Sequence, residues 1–205
     1  MEDILDLYAE PDEPTRPVIC LDECPYQLLG DVIAPVPPRP GRASRHDYEY
    51  KRGGTESLFV VFCPARGWRH VIVSDHHGKQ DFAQVIRQLI DEQFPDVDRI
   101  RLVVDNLNTH SPASLYAAFS AAEARRLTQK LEWHYTPKHA SWLNMVEIEL
   151  SILSRQCLNR RIPDVETLRQ EVAVWEQERN EQHATVSWHF TIADARRKLE
   201  RFYPS

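Results

Sequence analysis

Short apolar runs alternate with polar stretches along this chain, and their periods predict its elements. Val18-Ile19-Cys20-Leu21 is apolar at every position and ends in Asp22, the pattern of a strand buried on both faces. Residues 17–22 are read as strand one. Ser57–Cys63 and Trp68–Ser74 follow as strands two and three, joined by Pro64-Ala65-Arg66-Gly67, which has hairpin-turn chemistry. Between Asp81 and Phe94 the period becomes helical, with Phe82, Val85, Ile86, Leu89 and Ile90 on one side. Arg99–Val104 reads as strand four and Leu131–Tyr135 as strand five. Ser111-Pro112 supplies the cap and first position of a helix, and a second helical piece spans Ala121–Gln129. Further helices are predicted around Glu147, after an Asp164 cap with Val165, Leu168, Val172 and Trp175 in phase, and from Thr191 to Phe202.

The early hairpin makes antiparallel neighbours, and helical crossovers make parallel ones. The order therefore predicts an α/β fold: a ribonuclease-H-like mixed five-stranded sheet with helices on both faces. Residues 1–16 read as an N-terminal helix and a Pro/Asp/Glu linker, and residues 17–205 as the domain itself. The insert Pro35-Val36-Pro37-Pro38-Arg39-Pro40-Gly41 is excluded from a sheet interior because proline lacks the backbone donor. It is expected to cross the surface in extended form, beside whatever strand one delivers.

What strands one and four deliver is acid. Asp22 and Asp105 each end an apolar run, and in open α/β sheets ligand chemistry lies beyond the carboxyl ends of the strands. A third acid comes from Ser141-Trp142-Leu143-Asn144-Met145-Val146-Glu147. At about 100° per residue, Val146, Leu150, Leu153 and Cys157 form one apolar stripe, and Asn144, Glu147, Ser151 and Ser154 share its flank. Glu149 lies roughly 160° from Glu147, so the two cannot face one site. Glu147 is the expected ligand, and Glu149 is expected to be exposed, partner-facing or outside the first layer of ligands. Glu23 points away from Asp22 and is a weak substitute. Carboxylates so placed make hard oxygen ligands for Mg²⁺ or Mn²⁺, and two such ions can run phosphodiester chemistry.

The charge balance tempers this picture. With 25 Lys and Arg against 31 Asp and Glu, the net charge is −6, which argues against a plain basic nucleic-acid binder. An unfilled acid cluster is itself negative, however, and basic residues concentrate at Arg39, Arg42, Arg45, Lys51 and Arg52, and at Arg155, Arg160 and Arg161. Around the acids, Asn108 and His110 are placed to orient a phosphate or Asp105, and Lys138, His139 and Asn144 to meet a DNA backbone. His76 and His77 read as surface residues. Cys20, Cys63 and Cys157 fall on core positions; Cys20 and Cys24 lack the second close pair that a zinc site needs. No apolar stretch is long enough to span a membrane, and the acidic start is unlike a signal peptide.

At these residues the chain resembles the DDE transposases of the mariner superfamily, and within it the bacterial insertion-sequence six-thirty branch. The pieces that carry the resemblance are Cys20-Leu21-Asp22-Glu23, Val104-Asp105-Asn106-Leu107-Asn108-Thr109-His110, and Pro137-Lys138-His139-Ala140 running on to Trp142-Leu143-Asn144 and Glu147. Gln27-Leu28-Leu29-Gly30 and Leu153-Ser154-Arg155-Gln156-Cys157-Leu158 are similar as well. The resemblance implies a catalytic domain that cuts donor DNA with water and joins the freed 3′-hydroxyl to target DNA. It implies Mg²⁺ or Mn²⁺, two ions per site, with Asp22 bridging both and Asp105 and Glu147 each completing one. It further implies transposon-end and target DNA as partners, a homodimer on DNA, and a separate helix-turn-helix region that residues 1–16 are too short to supply. The implied setting is the bacterial cytoplasm, at the nucleoid. Two rival readings are another ribonuclease-H-like nuclease, such as a junction resolvase, and a non-catalytic or truncated relic that binds DNA or a partner through the same fold.

Overall fold

The computed structural model describes residues 1–45 and 47–200. Its centre is a five-stranded sheet in the order β3-β2-β1-β4-β5. β1 (Val18–Asp31), β2 (Tyr50–Cys63) and β3 (Trp68–Ser74) form an antiparallel meander. β4 (Ile100–Val104) pairs parallel to β1, and β5 (Leu131–Tyr135) parallel to β4. This is the ribonuclease-H-like mixed sheet that the element order predicts. The tight β2–β3 connection turns at Gly67, whose φ of 59° suits a residue without a side chain.

Alternation along the strands splits the core into two layers. Cys20, Leu28, Leu58 and Val60 face one layer, which α1 (Glu2–Ala9), α5 (Val146–Leu153), α6 (Val165–Glu181) and α7 (Ile192–Lys198) cover. Ile19, Leu21, Phe59 and Val61 face the other, under α2 (Lys79–Gln88), α3 (Pro112–Ala118) and α4 (Ala121–Gln129). Covered from both sides, β4 is buried at every position, which is why its sequence is an unbroken apolar run apart from Arg101. Each fully buried aliphatic or aromatic side chain contributes roughly 1.5–3 kcal/mol relative to exposure. The open edge of β3 is closed by α6: Asn180 pairs with both the amide and the carbonyl of Arg69, at 2.8 Å each, and Glu176 accepts the amide of Val71 at 2.8 Å. Side chains thus stand in for a sixth strand and blunt the edge.

The structure departs from the sequence expectations in three places. β1 runs on past Asp22 to Asp31, and β2 begins at Tyr50 rather than Ser57. Pro25, Gly53 and Gly54 are poor strand residues, and this polar ribbon is held by backbone pairing, with a bulge between Leu28 and Leu29, more than by burial. The Pro-rich insert does not cross the surface in extended form. It doubles back as an exposed arm, with Val36 bridging Arg45 and Arg39 bridging Arg42. The helix expected within residues 1–16 is α1, and nothing in the sequence hinted at how closely it packs: Ile4, Leu5 and Leu7 are buried, Asp3 meets His134 at 2.9 Å, and Glu10 pairs with the buried Arg101. The last helix ends at Lys198; its expected end, Phe202, lies outside the described residues. All four cysteines are free, with Cys20, Cys63 and Cys157 buried. Among the described residues, no helix is long and apolar enough to cross a membrane.

Candidate active site

The parallel register of β1 and β4 pairs Cys20 with Val103, so Asp22 and Asp105, each two residues further on, come level where that pairing stops, Asp105 just past the end of β4 and Asp22 within β1. Asp22 is only 8% exposed, and its Oδ1 accepts the Glu23 amide at 2.9 Å. Burial pushes its carboxyl up to about 7; the charges of Asp105 and Glu23 add to this, while the Glu23 amide and His110 oppose it. No lysine or arginine is among these groups.

His110 is fully buried, so of its two expected partners, a phosphate or Asp105, it meets Asp105. Its Nδ1 lies 2.5 Å from Asp105 Oδ1 and its Nε2 2.8 Å from Glu23 Oε2. The ring packs on Phe82, with centroids 4.8 Å apart. Burial works against its charged form, but the hydrogen bonds and charges of Glu23 and Asp105 prevail, and its pKa is raised above the usual imidazole value. As an imidazolium it donates from both nitrogens and ties the end of β4 to β1. Asp105 Oδ1 also accepts the Leu107 amide at 3.1 Å, so this carboxylate is oriented by its own loop. Glu23 is therefore a partner of His110 on the opposite face from Asp22.

Glu147 stands half-buried in the first turn of α5. Its proximity to the Asp22 side of β1 is felt by Cys24, whose thiol is raised to about 11 by burial and then by the charges of Asp22, Glu147 and Glu23. Asn144, expected to face DNA, is fully buried instead, and its Nδ2 donates to the Leu21 carbonyl at 3.0 Å. Glu149 is also a correction. It does point away from Glu147, but it is fully buried, with Arg69 Nε 3.1 Å and Arg179 Nη2 3.0 Å from its carboxylate. The helical wheel had the signal: at 100° per residue Glu149 lies about 60° from Val146 and about 40° from Leu153, bordering the apolar stripe on the side opposite Glu147.

Of the remaining expected residues, Asn108 is exposed in the loop after β4, and Lys138 and His139 in the loop after β5, at the same end of the sheet as the acids. His139 holds a left-handed backbone with φ 64°, and Pro137, Lys138, His139, Ala140 and Trp142 line an open cavity of about 430 Å³. Arg39, Arg42 and Arg45 are exposed on the arm that β1 carries beyond Asp22. His77, read as surface, is exposed and 3.1 Å from Ser57 Oγ.

The donor set suits a hard divalent cation: all-oxygen ligands, excess negative charge, and a desolvated Asp22 on which the one cationic group acting, His110, is outweighed by burial and the neighbouring acids. The carboxylates are not drawn into one ligand sphere, however. Among the described residues, no three His, Cys, Asp or Glu side chains stand close enough to hold a metal ion.

Residues 17–169 match the model of a protein family described as DDE superfamily endonuclease. Similar solved structures include the Mos1 mariner paired end complex with Mn, with a TM-score of 0.55 and 14% identity over 89% of this chain and 54% of that one. A pre-cleavage Mos1 transpososome gives 0.54 and 14% over 89% and 59%. The Mos1 transposase paired-end complex with left transposon end gives 0.51 and 17% over 89% and 58%. At these identities the likeness is one of fold, and the chain spans little more than half the length of each. No curated protein matches the chain.

Proposed function

The chain belongs to the DDE superfamily endonucleases, and from that premise we propose that it is the catalytic domain of a mariner-type transposase of the bacterial insertion-sequence six-thirty branch. In this reading it cleaves DNA strands at transposon ends and transfers the freed 3′ end to target DNA. The observation that carries it is that Asp22 and Asp105 come level where the parallel pairing of β1 and β4 stops, with Asn144, just before the helix that bears Glu147, bonded to β1 one residue before Asp22.

Asp22, Asp105 and Glu147 are the residues that would hold divalent ions, Mg²⁺ or Mn²⁺, two per site. When bound, such ions supply Lewis acidity for the attacking and the leaving oxygen. The chain's own work is to place these carboxylates and the DNA. His110 holds Asp105 toward the site through the 2.5 Å contact while Glu23 balances the imidazolium from behind. Asn108, Lys138 and His139 are exposed around the acids, positioned for phosphate contacts, and Arg39, Arg42 and Arg45 extend that contact along the arm. These contacts fix register without reading sequence, so end recognition falls to a separate helix-turn-helix region, with a second copy of the chain on the other transposon end. The proposed setting is the bacterial cytoplasm, at the nucleoid.

A second reading, a relic that binds DNA without cutting it, is favoured by one observation: no described carboxylate trio lies within reach of one ion. Nicking of a supercoiled plasmid separates the two. The wild-type chain is expected to nick in Mg²⁺ or Mn²⁺ and not in EDTA. Asp22→Asn, Asp105→Asn and Glu147→Gln are each expected to fall to background while keeping the fold by circular dichroism. Nicking that persists in all three variants, or is absent from the wild type, rejects the catalytic reading.

A further inference from the structure

We propose that Asn144 and Tyr8 are positioning residues that fix Glu147 against Asp22, so that the N-terminal helix α1 is a working part of the site. The inference rests on the reading of Asp22, Asp105 and Glu147 as cation ligands. Asn144 touches the chain neighbours of both outer acids. Its Nδ2 donates to the carbonyl of Leu21, next to Asp22, at 3.0 Å; its Oδ1 accepts from the amide of Val146, next to Glu147, at 3.4 Å. Its backbone carbonyl accepts the amide of Glu147 itself at 3.1 Å. The amide orientation is fixed by its partners, since one is only an acceptor and the other only a donor.

Tyr8 closes the same joint from the other side. Its hydroxyl donates to the Leu143 carbonyl at 2.8 Å, accepts from the Met145 amide at 3.4 Å, and lies 3.4 Å from Cys20 Sγ, two residues before Asp22. Tyr8 is held there because Ile4, Leu5 and Leu7 of the same helix are buried in the core.

Packing alone does not call for these groups. The joint is enclosed by Cys20, Leu143 and Val146, all 0% exposed, where an apolar side chain would fill the space without the desolvation cost of an amide or a hydroxyl. What hydrogen bonds add to packing is direction, which sets one backbone in register against another. The first turn of a helix also has amides with no partner inside the helix. Here those of Met145, Val146 and Glu147 are answered by Tyr8, by the Asn144 side chain and by the Asn144 carbonyl, so the start of α5, which bears Glu147, is tied to β1 one residue before Asp22. Tyr8 lies outside the span 17–169 that the family model matches, so this buttress is a feature of the chain beyond that span.

The test uses the full chain and its Asn144→Ala, Tyr8→Phe and Val172→Ala variants. Tyr8→Phe removes one hydroxyl and keeps the ring beside Trp188, 5.4 Å away. Val172, in the α6 core, controls for a general loss of stability. Mn²⁺ binding is read by electron paramagnetic resonance of the free ion, alongside the Mn²⁺ dependence of plasmid nicking. Asn144→Ala is expected to weaken Mn²⁺ binding by about 10–100-fold and Tyr8→Phe by about 10-fold, with the nicking midpoints moving in parallel. Val172→Ala is expected to melt earlier with Mn²⁺ binding unchanged. If Asn144→Ala does not fold, Tyr8→Phe decides alone. The proposal is overturned if the folded variants bind Mn²⁺ as the wild type does, or if Val172→Ala weakens binding as much as they do. A wild-type chain that takes up no Mn²⁺ overturns the cation reading itself, and this proposal with it, before any variant is compared.

Discussion

Glu149 and Asp22 are both acids taken out of water, and the fold treats them in opposite ways. Glu149 is fully enclosed and meets two guanidinium groups, Arg69 at 3.1 Å and Arg179 at 3.0 Å. Asp22 is nearly as enclosed, but it meets one backbone amide, and the nearest acids add to its difficulty. A buried charge costs several kcal/mol unless it is paired. For Glu149 that cost is offset inside the protein, so the acid serves the structure by joining α5 to β3 and α6. For Asp22 it is not, so the carboxyl keeps its proton up to about pH 7 or waits for a cation from outside. Burial alone therefore does not distinguish a structural acid from a functional one; the partners do.

The largest effect should come from breaking the paired acid. Glu149→Leu leaves two guanidinium groups without their partner, and one of them, Arg69, already has its pKa lowered by burial. It should lose about 3–5 kcal/mol in urea unfolding. A loss below about 1 kcal/mol would mean that the cluster does not hold the layer together.

Removing the unpaired acid should act in the opposite direction. In metal-free protein the Asp22 carboxyl is raised from 3.8 to about 7, so between those values the folded chain binds more protons than the unfolded one. The stability this group contributes is fully present below about pH 3.8 and is lost as pH rises through about 7. Asp22→Asn does not titrate, so at pH 8 it should be more stable than the metal-free wild type, by on the order of 1–4 kcal/mol, with the gap closing as pH falls toward 4. Parallel pH–stability curves for the two proteins would break the comparison.

These contrasts were only partly legible in the sequence. The sheet was, because β4 and the start of β1 are buried on both faces and so read as unbroken apolar runs that end in Asp105 and Asp22. The far half of the β1–β2 ribbon was not, since Pro25, Gly53 and Gly54 hide a strand pair that backbone bonding makes. Glu149 was misread because its charge was weighed above its place on the helix; the Arg69 that accepts it comes from a strand far away in the sequence. Asn144 looked like a group facing DNA, and of the partners of His110 only Asp105 was foreseen. The partners that were missed, Glu23 for His110 and Leu21 for Asn144, lie on β1, and no local pattern announces a bond to a distant strand. Tyr8 gave no signal beyond the amphipathic turn that carries it.

The smallest effect on stability is expected at the arm. Arg39, Arg42 and Arg45 are exposed, so replacing all three with Ala should change unfolding free energy by less than about 0.5 kcal/mol each. Their weight should appear in DNA binding instead. The slope of log affinity against log salt should fall by up to about 3, equally for transposon-end and scrambled duplexes. An unchanged slope would remove the arm from the DNA contact.

The central claim is that Asp22 is an acid kept for a cation, and thermal unfolding in rising Mg²⁺ at pH 8 tests it most directly. A ligand at about 100 times its dissociation constant stabilises the folded state by about 2.7 kcal/mol, which is roughly 5–10 °C in a domain of this size. The wild type should gain that shift and close most or all of the gap to Asp22→Asn, whose melting temperature should not respond. Equal shifts in the two proteins, or none in the wild type, would contradict the account.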